Sequence, residues 1–398
     1  MSSHDFIIAG AGIVGLATAR EILLRNPSAS ILILEKEDRP GAHASGRNSG
    51  VLHSGIYYKP GTLKAQMCRQ GALRMMEFAR EHGIAFRQDG KVITATEEHE
   101  TAVLDRLMGY AEANGIRAER LDAAGVRRLE PHAAGLAGIY CPETAVIDSP
   151  AVVRKLAELL LARGVQVKFG EPVIGLVPES GEVRTRKNMY TCASFINAAG
   201  AYADRVARLA GLSEDYVLVP FKGLYYKLAP AKADWIRSNL YPVPDPDMPF
   251  LGVHFTKVVS GDVYIGPTAI PALGRENYGI LKGIHAQETF EIAVQLTRML
   301  LAPEPMFRRL AAQEISSYLK SVYLTRARKL VPGICGADLL SCHKVGIRPQ
   351  LVHRRTLSLE MDFVLQKRGR TLHVLNAISP AFTSAFAFAE KIVSEAGG

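Results

Sequence analysis

The chain has 398 residues, 48% of them hydrophobic and 22% charged, with a formal net charge of +9. At roughly 100–200 residues per domain this length predicts two domains or one large composite, and the composition excludes wholesale disorder. The positive charge is not gathered into a long Lys/Arg run: its densest stretches are Arg326–Lys329 and Arg354–Arg355. No nucleic-acid partner is expected; the charge suits anionic ligands, with a peripheral contact to an anionic membrane surface as the second reading.

Cysteines stand at 68, 141, 192, 335 and 342, an odd number without a Cys-x-x-Cys pair. That excludes a disulfide framework and a structural zinc site, and no metal is expected. A reducing, cytoplasmic compartment follows, or the inner face of the cytoplasmic membrane. His4 and Asp5 lead straight into an apolar stretch, unlike a secretory signal. No apolar run has the length to span a bilayer.

Phe6–Ala9 reads as a buried strand, Ile13–Arg25 as a helix and Ile31–Leu34 as a second strand. Such a unit implies parallel pairing. Asp38–Gly61 is a long loop rich in Gly, Ser, His and Asn, of a length usual for functional loops. Helices are predicted over Thr62–His82, Glu97–Asn114 and Pro150–Arg163, and strands over Val165–Phe169, Val173–Val177 and Phe195–Ala198. A helix over Ala203–Ala210 follows. From Tyr216 to Pro267 the alternating, aromatic text predicts an antiparallel sheet. His285–Leu300 reads as a helix. The chain closes with a strand over Leu372–Leu375, a turn at Pro380 and a small-residue helix to about Glu395.

Gly10-Ala11-Gly12-Ile13-Val14-Gly15 lies between the first strand and the first helix. Gly10 permits the turn, Gly12 lets backbone approach a pyrophosphate, and Gly15 lets helix and strand pack closely. The helix N-terminus offers free N–H groups to phosphate. Glu35 follows Gly15 by twenty residues, where a carboxylate can accept from a ribose diol. Its charge disfavours a 2′-phosphate. FAD and NAD both remain open on the cradle alone.

The run Ala44-Ser45-Gly46-Arg47-Asn48-Ser49-Gly50-Val51-Leu52-His53-Ser54-Gly55-Ile56-Tyr57-Tyr58-Lys59-Pro60-Gly61-Thr62-Leu63-Lys64-Ala65 resembles the flavin-contacting loop of the D-amino-acid-oxidase-like flavoproteins. More narrowly it resembles the L-2-hydroxyglutarate dehydrogenases/oxidases. The resemblance extends through Pro220–Gly223, Tyr241–Asp245, Pro249–Thr256, Gly346-Ile347-Arg348 and Asn376–Ala381, in the family's order. It implies an α/β FAD-binding Rossmann-type domain with an inserted α+β substrate domain on a mainly antiparallel sheet. The FAD domain is expected over 1–85, 150–212 and 335–398, and the substrate domain over 86–149 and 213–334.

The resemblance implies non-covalent FAD held by Gly10, Gly12, Ile13, Val14, Gly15, Glu35, Lys36, Ser45, Arg47, Asn48, Ser49, Gly50 and Val51. Val173 would meet the adenine, and Ala199, Gly200, Gly346, Arg348 and Ser379, Pro380, Ala381, Phe382, Thr383 would complete the site. Small residues are needed wherever backbone crosses an extended cofactor; an NAD enzyme would not need the C-terminal segment.

The activity implied is oxidation of L-2-hydroxyglutarate, or a related 2-hydroxy acid, to the 2-oxo acid. That chemistry needs a base for the hydroxyl proton, a hydride acceptor, and donors for the carboxylate. His53 is the first choice of base, since histidine titrates near neutrality; His254 is the alternative base or a substrate ligand. Arg348 is the expected cation for a two-point carboxylate contact. Tyr57, Tyr58, Lys64, Tyr225 and Arg275 are further substrate candidates. Oxygen, a quinone and an electron-transfer protein all stay open as acceptors. The chain departs from the family at Leu224 (acidic there), Thr268 (an amide), Gly274 (basic) and Phe382 (small). Leu224 and Gly274 motivate a second reading, oxidation of an amino acid or other amine.

Overall fold

The computed structural model describes all residues except 1, 246, 247, 249, 303–305 and 398. Pro249, which opens one of the family segments, is therefore outside the described residues.

The chain begins with strand β1 (Ser2–Ala9), helix α1 (Ile13–Arg25) and strand β2 (Ile31–Glu35). β1 and β2 pair in parallel, Ala9 beside Leu34. Every residue of β2 is buried, as an unbroken apolar strand inside a sheet covered on both faces should be. Gln166–Phe169 continues the parallel pairing beyond β2, and Met189–Asn197 beyond β1. Thr371–Val374 adds another parallel neighbour to Met189–Asn197. Val173–Val177 and Glu182–Thr185 complete the edge as an antiparallel ribbon.

α1 buries Leu16, Ala17 and Ile22 in one core with Met75, Met76 and Phe78 of helix Leu63–Glu81. Val152 and Leu156 of Ser149–Ala162 and Phe386 and Phe388 of Ala381–Ala396 join them. Burying a side chain such as Phe388, fully enclosed here, stabilises by about 1.5–3 kcal/mol.

A second, nine-stranded sheet uses separate chain segments. Its order runs Ile270–Pro271, Tyr216–Leu228, Val263–Gly266, His254–Lys257, Asn239–Pro242, Lys91–Ala95, Ala137–Cys141, Glu119–Asp122. Most pairs are antiparallel, but Asn239–Pro242 and Lys91–Ala95 run parallel. Phe255, Ile265, Leu240 and Val92 pack from this sheet against Tyr323 and Leu330 of helix Lys320–Leu330.

One expected boundary moves. Residues from 335 were expected to return to the nucleotide domain. Instead Leu339–His353 lies in the second sheet, antiparallel to Tyr216–Leu228, with Tyr216 beside His353 and Leu228 beside Leu339. The first sheet resumes with Leu365–Arg368. Leu339–His353 has no clean inside/outside alternation, so the usual sign of a strand is absent.

Val51–Leu52, Ala145–Ile147 and Phe86–Arg87 form a small third sheet. It pins Val51–Leu52, within the long loop that sequence left without structure. No helix among the described residues is long and apolar enough to cross a membrane.

Candidate active site

A cavity of about 830 Å³ runs from the first sheet to the second. That is near the upper end of the ~300–1,000 Å³ usual for small-molecule sites. One end is bounded by the turn into α1, Glu35 and Val173; the other by Tyr225, Tyr241, His254 and Arg348.

At the first end the turn is set by Gly10, whose φ of +106° is strained for any residue with a side chain. An added Cβ would also stand 2.5 Å from the Ala198 carbonyl oxygen. Gly12 caps α1 without a side-chain acceptor. Ser45 Oγ accepts the Ile13 N–H at 2.9 Å, and the helix keeps further first-turn N–H groups for an anion. Glu35 Oε2 accepts the Ala11 N–H at 2.7 Å and Oε1 the Glu37 N–H at 2.9 Å. A carboxylate has about four acceptor positions, so half of them remain for a diol.

Small residues line the middle: Ala199 and Gly200 from one segment, Gly346 from the second sheet, and Ser379, Pro380 and Ala381 from the C-terminal turn. A Cβ on Gly346 would meet the Arg47 carbonyl oxygen at 2.6 Å. Ser49, Asn48, Val51, Val14, Phe382 and Thr383 complete the wall. An elongated cavity with a phosphate-binding helix end and three backbone crossings fits FAD. Gly15 and Gly50 do not line it; they let backbone pass backbone, Gly15 against Gly10 and Gly50 against Ile147. Gly10→Ala should weaken FAD retention at least 5- to 150-fold, from about 1–3 kcal/mol of backbone strain alone. The ratio of visible to ultraviolet absorbance in purified protein reads this directly.

Lys36 lines the cavity, but its ammonium is tied elsewhere. It donates to Glu276 and Glu37 and lies 3.0 Å from His43 Nε2. Glu37, His43 and Glu276 are the one group among the described residues close enough to hold a metal ion. The ammonium already supplies their positive charge. Arg47 spends Nε on the Ala42 carbonyl at 3.1 Å and stacks over Tyr278.

At the far end Arg348 is half-buried, with its guanidinium carbon 4.7 Å from the Phe250 ring centre. It makes no hydrogen bond or ion pair with any described residue. Burial lowers its pKa, with Tyr225, Tyr58 and Glu314 opposing. A partly desolvated guanidinium without an anionic partner is an open position for one.

Two histidines share this end. His254 is 5% exposed and stacks on Tyr241, ring centres 3.9 Å apart. Its Nδ1 lies 2.8 Å from the Gly252 carbonyl oxygen. Only a protonated Nδ1 suits a carbonyl, so neutral His254 carries a bare lone pair on Nε2. Burial above all, then the charges of Lys91 and Arg348, pulls its pKa to about 4, against a raising contribution from the Gly252 carbonyl. His53 donates its backbone N–H to Thr383 Oγ1 at 3.3 Å. Its ring lines the cavity with Nδ1 buried and unpartnered. Burial, then Lys91, His254 and Arg348, takes its pKa to about 3. Both rings are neutral at physiological pH.

Tyr225 reaches the cavity, and burial raises its hydroxyl to about 12. Four other substrate candidates are corrected. Tyr57, Tyr58 and Lys64 lie behind the wall, because the chain turns away at Gly55, where the Tyr58 N–H closes back on the Gly55 carbonyl at 3.0 Å. Burial lowers Lys64 to about 8, opposed by Asp362. Arg275 borders the cavity away from Arg348, beside Ala201 and Tyr202. Its guanidinium is held by buried Asp204, Nη2 to Oδ2 at 2.9 Å, and by Glu288.

The family departures can now be placed. Thr268 reaches the cavity, but its hydroxyl accepts the Leu224 N–H at 3.0 Å and donates to the Lys222 carbonyl. Leu224 and Gly274 do not line it; a Cβ on Gly274 would meet the Gly283 carbonyl. Two of the three departures in the substrate domain therefore leave the pocket alone. Tyr241, Phe221 and Phe250 line the cavity and were not foreseen as site residues. All three stand inside family segments, which marked them without assigning a role.

Comparison with known proteins agrees with this geometry. The chain is 36% identical over 397 residues to the L-2-hydroxyglutarate dehydrogenase of Escherichia coli K12, covering 98% of this chain and 93% of that one. It is 37% identical over 391 residues to the enzyme of that name from Indibacter alkaliphilus, covering 95% of each chain. The human mitochondrial L-2-hydroxyglutarate dehydrogenase is 36% identical over 414 residues, with 99% and 89% covered. The L-α-glycerophosphate oxidase of Mycoplasma pneumoniae, solved with FAD bound, shares the fold at a TM-score of 0.80 and 22% identity, over 100% of this chain and 96% of that one. Glycine oxidase from Geobacillus kaustophilus does so at 0.73 and 18%, with 99% and 94% covered. The model for FAD dependent oxidoreductases of the DAO type matches residues 5–395, and the chain belongs to that family.

Proposed function

We propose that the protein oxidises L-2-hydroxyglutarate to the 2-oxo acid. The observation that carries this is the unpaired Arg348 guanidinium facing two neutral histidines at the end of the FAD cavity. Names of relatives along nearly the whole chain point the same way. Bound FAD supplies a hydride acceptor for the substrate carbon. Arg348 holds the C1 carboxylate through two parallel N–H donors. The substrate hydroxyl is its single proton donor once both carboxylates are ionised. His254 Nε2 is the acceptor matched to it, so His254 takes the hydroxyl proton. His53 has its Nδ1 buried without a partner, and we assign that nitrogen the bare lone pair. Its Nε2–H is then a donor for a substrate oxygen. This reverses the order expected from sequence, where His53 led. Tyr225, Tyr241 and Phe250 close the pocket against water, which strengthens each charged contact. Oxygen, a quinone or an electron-transfer protein reoxidises the cofactor.

The test is an anaerobic titration of purified, flavin-bearing protein. L-2-hydroxyglutarate is expected to bleach the oxidised band, while the D enantiomer and amino acids leave it. Bleaching by amines alone would transfer the site to amine oxidation. No bleaching by any 2-hydroxy acid would refute the proposal.

A further inference from the structure

The second sheet reaches back to the nucleotide end through one loop. After Ile270–Pro271 the chain runs from Gly274 to Gly283 and closes on itself: a Cβ on Gly274 would stand 2.4 Å from the Gly283 carbonyl oxygen. Buried Asn277 fixes the interior. Its amide donates to the carbonyls of Gly279, Ile280 and Lys282 at 3.0, 3.2 and 3.0 Å, and accepts from buried Lys222 Nζ at 2.7 Å. A loop with joined ends and its own packing is a compact body, so its outward contacts form and break together. Three of its side chains reach across to the nucleotide domain. Glu276 Oε1 accepts from Lys36 Nζ at 2.5 Å and from Tyr202 Oη at 2.7 Å. Tyr278 Oη lies 2.8 Å from His43 Nδ1, and the Arg47 guanidinium carbon stands 4.2 Å over the Tyr278 ring centre. Arg275 Nη2 donates to Asp204 Oδ2 at 2.9 Å.

Lys36, His43, Arg47, Tyr202, Arg275 and Tyr278 all line the FAD cavity; Glu276 does not, and joins two of them. Among the described residues no backbone hydrogen bond ties the loop to the nucleotide domain. The other walls belong to the sheets and to the start of helix Ala381–Ala396. An enclosed cofactor leaves only when a bordering segment moves, and segments without backbone ties open at the lowest cost. We propose that this loop is the clasp that retains FAD, with Glu276 as its positioning residue: the carboxylate holds Lys36 and Tyr202 to the loop across the cavity, and FAD leaves when that tie opens. The inference needs FAD in the cavity and does not depend on which substrate is oxidised. Glu276 makes one charge-assisted bond, to Lys36, of the stronger kind, and a second to the Tyr202 hydroxyl. Lys36 keeps Glu37 when Glu276 is lost. Removing the carboxylate therefore opens the clasp without stranding an ammonium.

Release can be timed without turnover. Bound FAD is exchanged against an excess of its deazaflavin analogue, which absorbs at shorter wavelength, and the spectrum follows the swap. In the FAD-bearing protein Glu276→Gln should speed exchange about 10- to 100-fold, the contribution of a hydrogen bond between charged groups. Tyr278→Phe keeps the ring under Arg47 and loses the His43 contact; it should speed exchange about 2- to 10-fold. FAD should rebind to either stripped variant at least as fast as to wild type, and the FAD-free variants should melt near wild type. Unchanged exchange in Glu276→Gln overturns the proposal. So does slower rebinding with a lower FAD-free melt, which would make the loop a brace between domains rather than a clasp on the cofactor. If Glu276→Gln cannot be obtained with FAD, Tyr278→Phe decides, and exchange at the wild-type rate there sinks the clasp. Wild-type flavin that L-2-hydroxyglutarate does not bleach, with both variants exchanging faster, would support the clasp and refute the functional reading, so the two failures are separable.

Discussion

Arg348→Met should retain FAD and lose most of its action on L-2-hydroxyglutarate. The guanidinium is half-buried, has no hydrogen-bonded anionic partner among the described residues, and lies at the end of the cavity where the histidines meet. Truncating one side of a buried, hydrogen-bonded charge pair costs about 2–5 kcal/mol. The expected loss in kcat/KM is therefore roughly 30- to 5,000-fold. Arg348→Lys should recover only part of it, because an ammonium keeps the charge but not the planar two-point donor. The same argument predicts an opposite effect on stability. Without substrate the half-buried guanidinium has only the Phe250 face and the more distant Glu314 to offset its lost hydration, so Arg348→Met should melt little or no lower than wild type. Steady-state kinetics and a melting curve on one preparation check both. A variant that melts far lower would show that Arg348 holds the sheet rather than the substrate. Full activity with an unchanged melt would place the carboxylate elsewhere.

The nucleotide end of the site was legible because its chemistry is local. Gly10, Gly12, Gly15 and Glu35 lie within one strand–helix–strand unit, and their spacing alone places the turn and the carboxylate. The substrate end was legible only as a set of residue types. His53, His254 and Arg348 come from the long loop and from two strands far apart in sequence, and no local pattern brings them together. Sequence also could not say which way a side chain turns. Tyr57 and Tyr58 stand within five residues of His53 and Lys64 at the start of the next helix, yet none of the three lines the cavity. Arg275 bears the right charge and reaches the cavity, but Asp204 claims it from seventy-one residues away. The strand Leu339–His353 was missed because its burial does not alternate.

His254→Asn should slow flavin reduction by about 10²–10⁴-fold, the usual cost of removing a general base, while binding changes little. The assignment comes from hydrogen-bond direction. The Gly252 carbonyl 2.8 Å from Nδ1 fixes the proton there, and stacking on Tyr241 holds the ring, so Nε2 can accept and cannot donate. An acceptor of that kind has no use for a carboxylate and one use for a 2-hydroxy acid. His53→Asn should behave differently. Its ring has no partner at Nδ1, and asparagine can still present an N–H donor toward the cavity. The expected effect is a weaker substrate Kd and a smaller fall in the limiting rate. Anaerobic rapid mixing over a range of L-2-hydroxyglutarate concentrations separates the two quantities. If His53→Asn gave the larger fall in limiting rate with Kd unchanged, the base would be His53, the first choice from sequence. His254 would then be a ring whose fixed proton serves only to hold the Gly252 turn against the pocket.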